Sequence, residues 1–237
     1  MGKLFQSKYI SINGKVEDTL AILIFLSMTL LPAIETLTRF FNFNSIPASQ
    51  VIVQHLTLWI GFVGAILASK KNKLLALTRD SIFQKEKNID LGKWIAKATT
   101  FLVLVSLALG SWQLVSVEME YPMDIAPGIP RWFAQIIMPL GFGLMAIHIF
   151  LNSYKNNIHR ITLVLIGLLL SMNWFNEWLF DILPVVSIGI MIIVLSIYNG
   201  APIFVGLGGL AILMFWSDYT PISAIPAETY RIVVSPT

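Results

Sequence analysis

Glu35 and Arg39 stand four residues apart in AIETLTRFF, with the glutamate first. On a helix this spacing sets carboxylate and guanidinium side by side, in the favourable order for an ion pair. In apolar surroundings the pair fits an interfacial salt bridge or a contact to lipid headgroups. The alternative is a polar contact to another subunit or to a substrate path. Gln54 and His55 are adjacent in VIVQHLT, and His148 lies in LMAIHIF. Imidazoles can move protons or ligate metal. Neither histidine has a second histidine or a carboxylate three or four positions on, so no helical metal face forms. Hydrogen bonds between helices are the expected use, with proton or substrate handling as the alternative. Asn173, Asn176, Glu177 and Asp181 cluster beside Trp174 and Trp178. They read as a solvated helix end or as a patch that attracts cations.

In GFVGAILASKKNKLLALT, Gly61 pairs with Ala65 and Gly64 with Ala68 at small-xxx-small spacing, which lets another helix approach closely. Lys70, Lys71 and Lys73 follow at once. This is no phosphate loop, because GxxxxGK[ST] is absent. HExxH, GxSxG and DxDxDG are absent too. No catalytic, cofactor-binding or metal-binding residue is assigned, and the chain is not read as an enzyme. Gly141 and Gly143 follow Pro139, and Gly206, Gly208 and Gly209 form a second group. Packing and kinking are equal readings for both.

The elements that carry these residues follow from composition. Hydrophobic residues are 56% and charged ones 12%, against about 25% charged in ordinary globular proteins. Mean hydropathy is +0.76. A soluble fold needs more polar surface than this. The expected class is an all-α polytopic membrane protein. The net charge of +3 comes from residues set between apolar runs, so it serves membrane orientation rather than nucleic acid. With no cysteine there is no disulfide, CxxC pair or cysteine metal site.

About 20 apolar residues cross a hydrocarbon core of about 30 Å. Seven segments qualify: 17–41 with a kink at Pro32, 47–69, 94–117, 130–153 with Pro139 inside, 160–181, a short 183–198, and 202–217. The first is read as an uncleaved signal anchor, the alternative being a cleaved signal peptide. Asn199-Gly200 before Pro202 marks a turn. Basic residues collect in the N-terminal tail, in the loop over 70–93 and at Lys155 and Arg160, while the opposite loops hold almost none. The positive-inside rule then sets the N-terminus in the cytoplasm. Trp112, Trp132, Trp174, Trp178 and Trp216 fall near the outer boundary and Trp94 near the inner one, as in an aromatic belt. Leu74, Leu75, Leu77, Ile82 and Phe83 alternate with charges, which fits an amphipathic helix on the membrane surface. The tail over 219–237 reads as having no helix or cap, as if cut within an element.

The order of features resembles the small membrane subunit (DctQ-like) of a TRAP transporter, a tripartite ATP-independent periplasmic carrier. Four places carry the resemblance. ETLTRFF ends the first helix. Trp59, Gly64, Ala65 and Ala68 lead into the basic turn. Pro130, Trp132, Pro139, Leu140, Gly141 and Phe142 shape IPRWFAQIIMPLGFG. Four helices with both ends inside give the family topology. Two positions depart from it: Lys73 stands near where the family often has a histidine, and Gln50 where it often has an acidic residue.

LPVVSIGIMIIVLSIYNGAPIFVGLGGLAIL looks like the start of the large permease subunit (DctM-like). The resemblance implies a four-helix domain over 1–157, a linking helix over 158–182, and the start of a permease, truncated, over 183–237. It implies a scaffold in a secondary transporter for organic anions such as dicarboxylates, in the bacterial inner membrane. The large permease subunit (or the rest of a fused chain), a periplasmic solute-binding protein and membrane lipids would be partners, and nucleic acid would not. No cofactor is implied. Transport would draw on a sodium gradient, with ion and substrate sites in permease parts outside this chain. Glu35, Arg39, Trp59, Gly61, Gly64, Ala65, Ala68, Trp132, Pro139 and Gly141 are the structural and interface candidates. A reading from another class is a membrane sensor or assembly protein that uses the basic loop 70–93.

Overall fold

The computed structural model describes residues 2–41, 48–71, 73–76, 89–153 and 185–234. The predicted helix over 160–181, the carboxylate and asparagine cluster at 173–181, and Leu77, Ile82 and Phe83 lie outside them. In chain order come α1 (Gly2–Phe40), α2 (Ser49–Lys70), α3 (Ile89–Glu120), β1 (Asp124–Ala126), β2 (Ile129–Pro130), α4 (Arg131–Gln135), α5 (Ile137–Ser153), α6 (Val185–Tyr198), α7 (Ile203–Ser217) and α8 (Ala224–Val234).

Four described stretches are long and apolar enough to cross a membrane: Asp18–Phe40, Ser49–Lys70, Gly92–Glu120 and Arg131–Leu151. They match the first four predicted segments. α6 and α7 are apolar but shorter, with 14 and 15 residues, or about 21–22 Å each.

α3 is the hub, packing against α5, α6, α7 and α8. α2 lies against α1, α5 and α8. α1 is peripheral, and only 6% of its apolar window is buried. The hydroxyls of Ser27, Thr29, Thr36 and Thr38 return to its own backbone, as when Thr36 donates to the Pro32 carbonyl at 2.8 Å. That satisfies polar groups lipid cannot.

The fourth predicted segment is interrupted at Ile136, between α4 and α5. Pro139 has no N–H to give the Gln135 carbonyl, so the regular ladder fails there. The chain still winds onward, with the Ile136 amide bonded to the Trp132 carbonyl at 3.0 Å.

Two further departures concern the segments read as irregular. The loop after Glu120 forms an antiparallel hairpin pairing Asp124 with Pro130 and Ala126 with Ile129. Pro127-Gly128 supplies its turn, and Gly128 has φ +78°, as the third residue of a type II turn requires. The tail contains a helix, α8, which corrects the expectation of none. Pro221 precedes it and Pro226 sits in its first turn, where an amide has no helical partner to lose.

The predicted turn at Asn199-Gly200 is present, with Gly200 at φ 93°. It lies at the lysine end of the bundle, where the Ile203 amide donates to the Leu75 carbonyl at 2.9 Å just beyond Lys73.

Candidate functional site

At the other end of the bundle, the hairpin end, Glu35 and Arg39 form the ion pair their spacing predicts. The Glu35 carboxylate also accepts the Ser49 hydroxyl from the start of α2. One glutamate therefore ties peripheral α1 to the bundle and holds the arginine. A cavity of about 440 Å³ opens between these helix ends, lined by Pro32, Glu35, Arg39, Ser49, Gln50 and their neighbours.

Trp59 donates Nε1–H to the Ala134 carbonyl at 3.0 Å and its ring faces Phe133. It thereby clasps α2 to α4 just before the break that Pro139 imposes. Trp132 stacks edge-on against Phe133, with ring centroids 6.1 Å apart. Gly141 is a close-approach position. A Cβ there would sit 2.4 Å from Cδ1 of Phe62, a ring that also packs edge-on against Phe142.

The other small residues divide. Ala65 packs into the cluster of Ile66, Leu104 and Met145. Gly61 and Gly64 are exposed, with nothing within 4 Å of a Cβ at either place. The close helix contact expected at the 61/65 and 64/68 pairs is thus not made by any described helix of this chain. Gly206 and Gly209 do make such contacts: a Cβ would meet Ile197 at 2.7 Å and Ile193 at 3.0 Å respectively.

His55 and His148 both join helices. His55 is 4% exposed. Its Nδ1 lies 2.7 Å from the Val51 carbonyl, which can only accept, so Nδ1 carries the proton. Nε2 is then free to accept the Tyr230 hydroxyl at 2.6 Å. Burial pushes the Tyr230 phenol up to about 12, so it stays a protonated donor. Ser69 gives its proton to the Ile66 carbonyl at 2.7 Å and lies 3.0 Å from Nδ1 of His148. Gln54 is half-buried beside His55.

Several partners were not read from sequence. Tyr230 lies in the tail taken as irregular. Glu118 and Arg131 counted only as loop charges, yet they pair at 3.1 Å across the hairpin. Thr99 and Ser196, one hydroxyl on α3 and one on α6, lie 2.7 Å apart. A pair of lone hydroxyls in apolar runs was the available signal. Among the described residues no three His, Asp or Glu side chains gather as a metal site would require. Among the described residues the arrangement is chemically a set of interhelical clasps and close-packing seams.

Residues 28–157, more than half of the chain, match the family described as tripartite ATP-independent periplasmic transporters, DctQ component. No curated protein gives a match. The match takes in the ion pair, the Trp59 clasp, the hairpin and the Pro139 break, and a multi-pass chain assembled on these clasps belongs to that family, the DctQ component of TRAP transporters.

Proposed function

We propose that this chain is the scaffold component of a TRAP secondary transporter for organic anions, such as dicarboxylates or other carboxylates, in the bacterial inner membrane. One observation carries the reading. α6, α7 and α8, all beyond the family-matched residues, pack along α3 of the matched unit. Their seam has the features of a permanent contact: a buried hydroxyl pair at Thr99 and Ser196, and Gly208 and Gly209 of α7 set closely against Val103 and Leu107 of α3. Close packing through small residues and scattered hydrogen bonds is how helices associate in lipid.

In this reading α6 and α7 are the first helices of a DctM-like permease, joined to the small subunit through a linking helix over 158–182. The bundle widens the fixed part of the carrier in the bilayer, and a transport domain moves against it. Ion and substrate sites belong to permease parts outside this chain, and a sodium gradient drives the cycle. A periplasmic solute-binding protein delivers the anion to the hairpin end. The lysine end faces the cytoplasm.

Coexpression with a matching large permease subunit tests this. The two should copurify in mild detergent. Proteoliposomes holding both should take up a labelled dicarboxylate only when the matching binding protein and a sodium gradient are supplied. Recovery of this chain alone under every condition would sink the proposal.

A further inference from the structure

The cavity at the hairpin end has a use that scaffolding does not explain. Its lining is apolar at Pro32 and Val53 and polar at Glu35, Thr36, Ser49, Gln50 and Arg39, and the exposed Arg39 marks its rim. The two Glu35 oxygens are engaged, one by Arg39 Nη2 and one by the Ser49 hydroxyl. A guanidinium carries five N–H donors. The pairing with Glu35 uses Nη2, and the Arg39 side chain is 70% exposed at the rim. The rim therefore offers donors at a fixed place at the end of two apolar helices. Donors in that position suit a phosphate oxygen.

Beyond the cavity, α2 presents an open face. On α2, Gln50, Thr57, Gly61 and Gly64 are all exposed. At 100° per residue, Thr57, Gly61 and Gly64 all fall within about 40° of Gln50 around the helix. Gly61 and Gly64 leave open space where side chains would stand. Gly61 lies about 16 Å along the helix from Gln50, close to half of a hydrocarbon core of about 30 Å. That is the reach of one acyl chain below its headgroup. Neighbouring α1 is barely buried, and the face of α2 at Gly61 and Gly64 is open. A free anion would have no use for such an apolar face.

We propose that this cleft is a phospholipid site, in which Arg39 and Gln50 hold the phosphodiester and an acyl chain lies along Gly61 and Gly64. The site would seal the α1–α2 seam with lipid.

Native mass spectrometry of the full chain, released from micelles doped with dioleoyl phosphatidylglycerol, tests it. The wild type should retain one lipid. Arg39→Gln should weaken retention about tenfold, the loss of a charge-assisted hydrogen bond. Arg231→Gln, at an arginine equally exposed but outside the cleft, should retain it fully. Gly61→Leu should also lose it, by filling the open face at Gly61 without touching the headgroup site. Millimolar inorganic phosphate should not displace the lipid. Equal retention by wild type and Arg39→Gln overturns the proposal. So does unchanged retention by Gly61→Leu, and displacement by inorganic phosphate would make this a site for free anions instead.

Discussion

The Tyr230 hydroxyl meets Nε2 of His55 at 2.6 Å, across 175 positions of sequence. It fastens the last described helix, α8, to the second. Tyr230→Phe keeps the ring and removes the donor, leaving an imidazole nitrogen unpaired at a residue 4% exposed. An orphaned buried acceptor costs about 1–3 kcal/mol. Unfolding in mixed detergent should show that loss. Tyr219→Phe, at a tyrosine 83% exposed, should change stability by less than about 0.5 kcal/mol.

Two glycines of the same bundle should behave oppositely. Gly141→Ala forces the Phe62 ring aside and should destabilise the chain by about 1–3 kcal/mol, the usual range for overpacking. Gly64→Leu enters open space and should leave the isolated chain within about 0.5 kcal/mol of wild type. Unfolding midpoints of the two variants check the contrast.

The spanning helices were legible because each is a long apolar run with a boundary marked by charge or tryptophan. Glu35–Arg39 was legible because its partners are four apart on one helix. The clasp at His55 was half legible: a histidine among apolar residues needed a partner, but nothing local named Tyr230. Its helix was missed because the prolines at 221 and 226 read as breakers, whereas one precedes the helix and the other sits in its first turn. Gly61 and Gly64 show the converse limit. Small-residue spacing says that a close neighbour fits, and it does not say whether this chain supplies one. Whether a glycine is crowded, like Gly141, or open, like Gly64, depends on rings contributed from far away in sequence.

The seam between α3 and α6 can be measured as a coupling. Thr99 and Ser196 share a 2.7 Å contact between hydroxyls, and each also reaches a carbonyl one turn back on its own helix. Those local bonds soften either single loss. A double-mutant cycle with Thr99→Val and Ser196→Ala should give a coupling of about 0.6 kcal/mol, typical of hydrogen bonds between helices in membranes. A coupling of zero would assign the adhesion of α6 to α3 to apolar packing alone.

Glu118 and Arg131 close the base of the hairpin. The ion pair joins the end of α3 to the start of α4 at 3.1 Å, with side chains 16% and 34% exposed, and the Arg131 amide bonds the Met123 carbonyl at 2.7 Å. Glu118 is the more buried partner, and its Oε2 makes no hydrogen bond. Its charge therefore leans on one guanidinium. Arg131→Met should leave that carboxylate shielded from water with no cation, at a cost of about 1–3 kcal/mol. Glu118→Gln removes the charge and should cost less, because a neutral amide tolerates the site better. Arg131→Met with Glu118→Gln should then be more stable than Arg131→Met alone. Thermal unfolding of the four proteins checks the ordering. If the double variant is no better than Arg131→Met, the pair is set by the hairpin backbone, and its charges contribute nothing measurable.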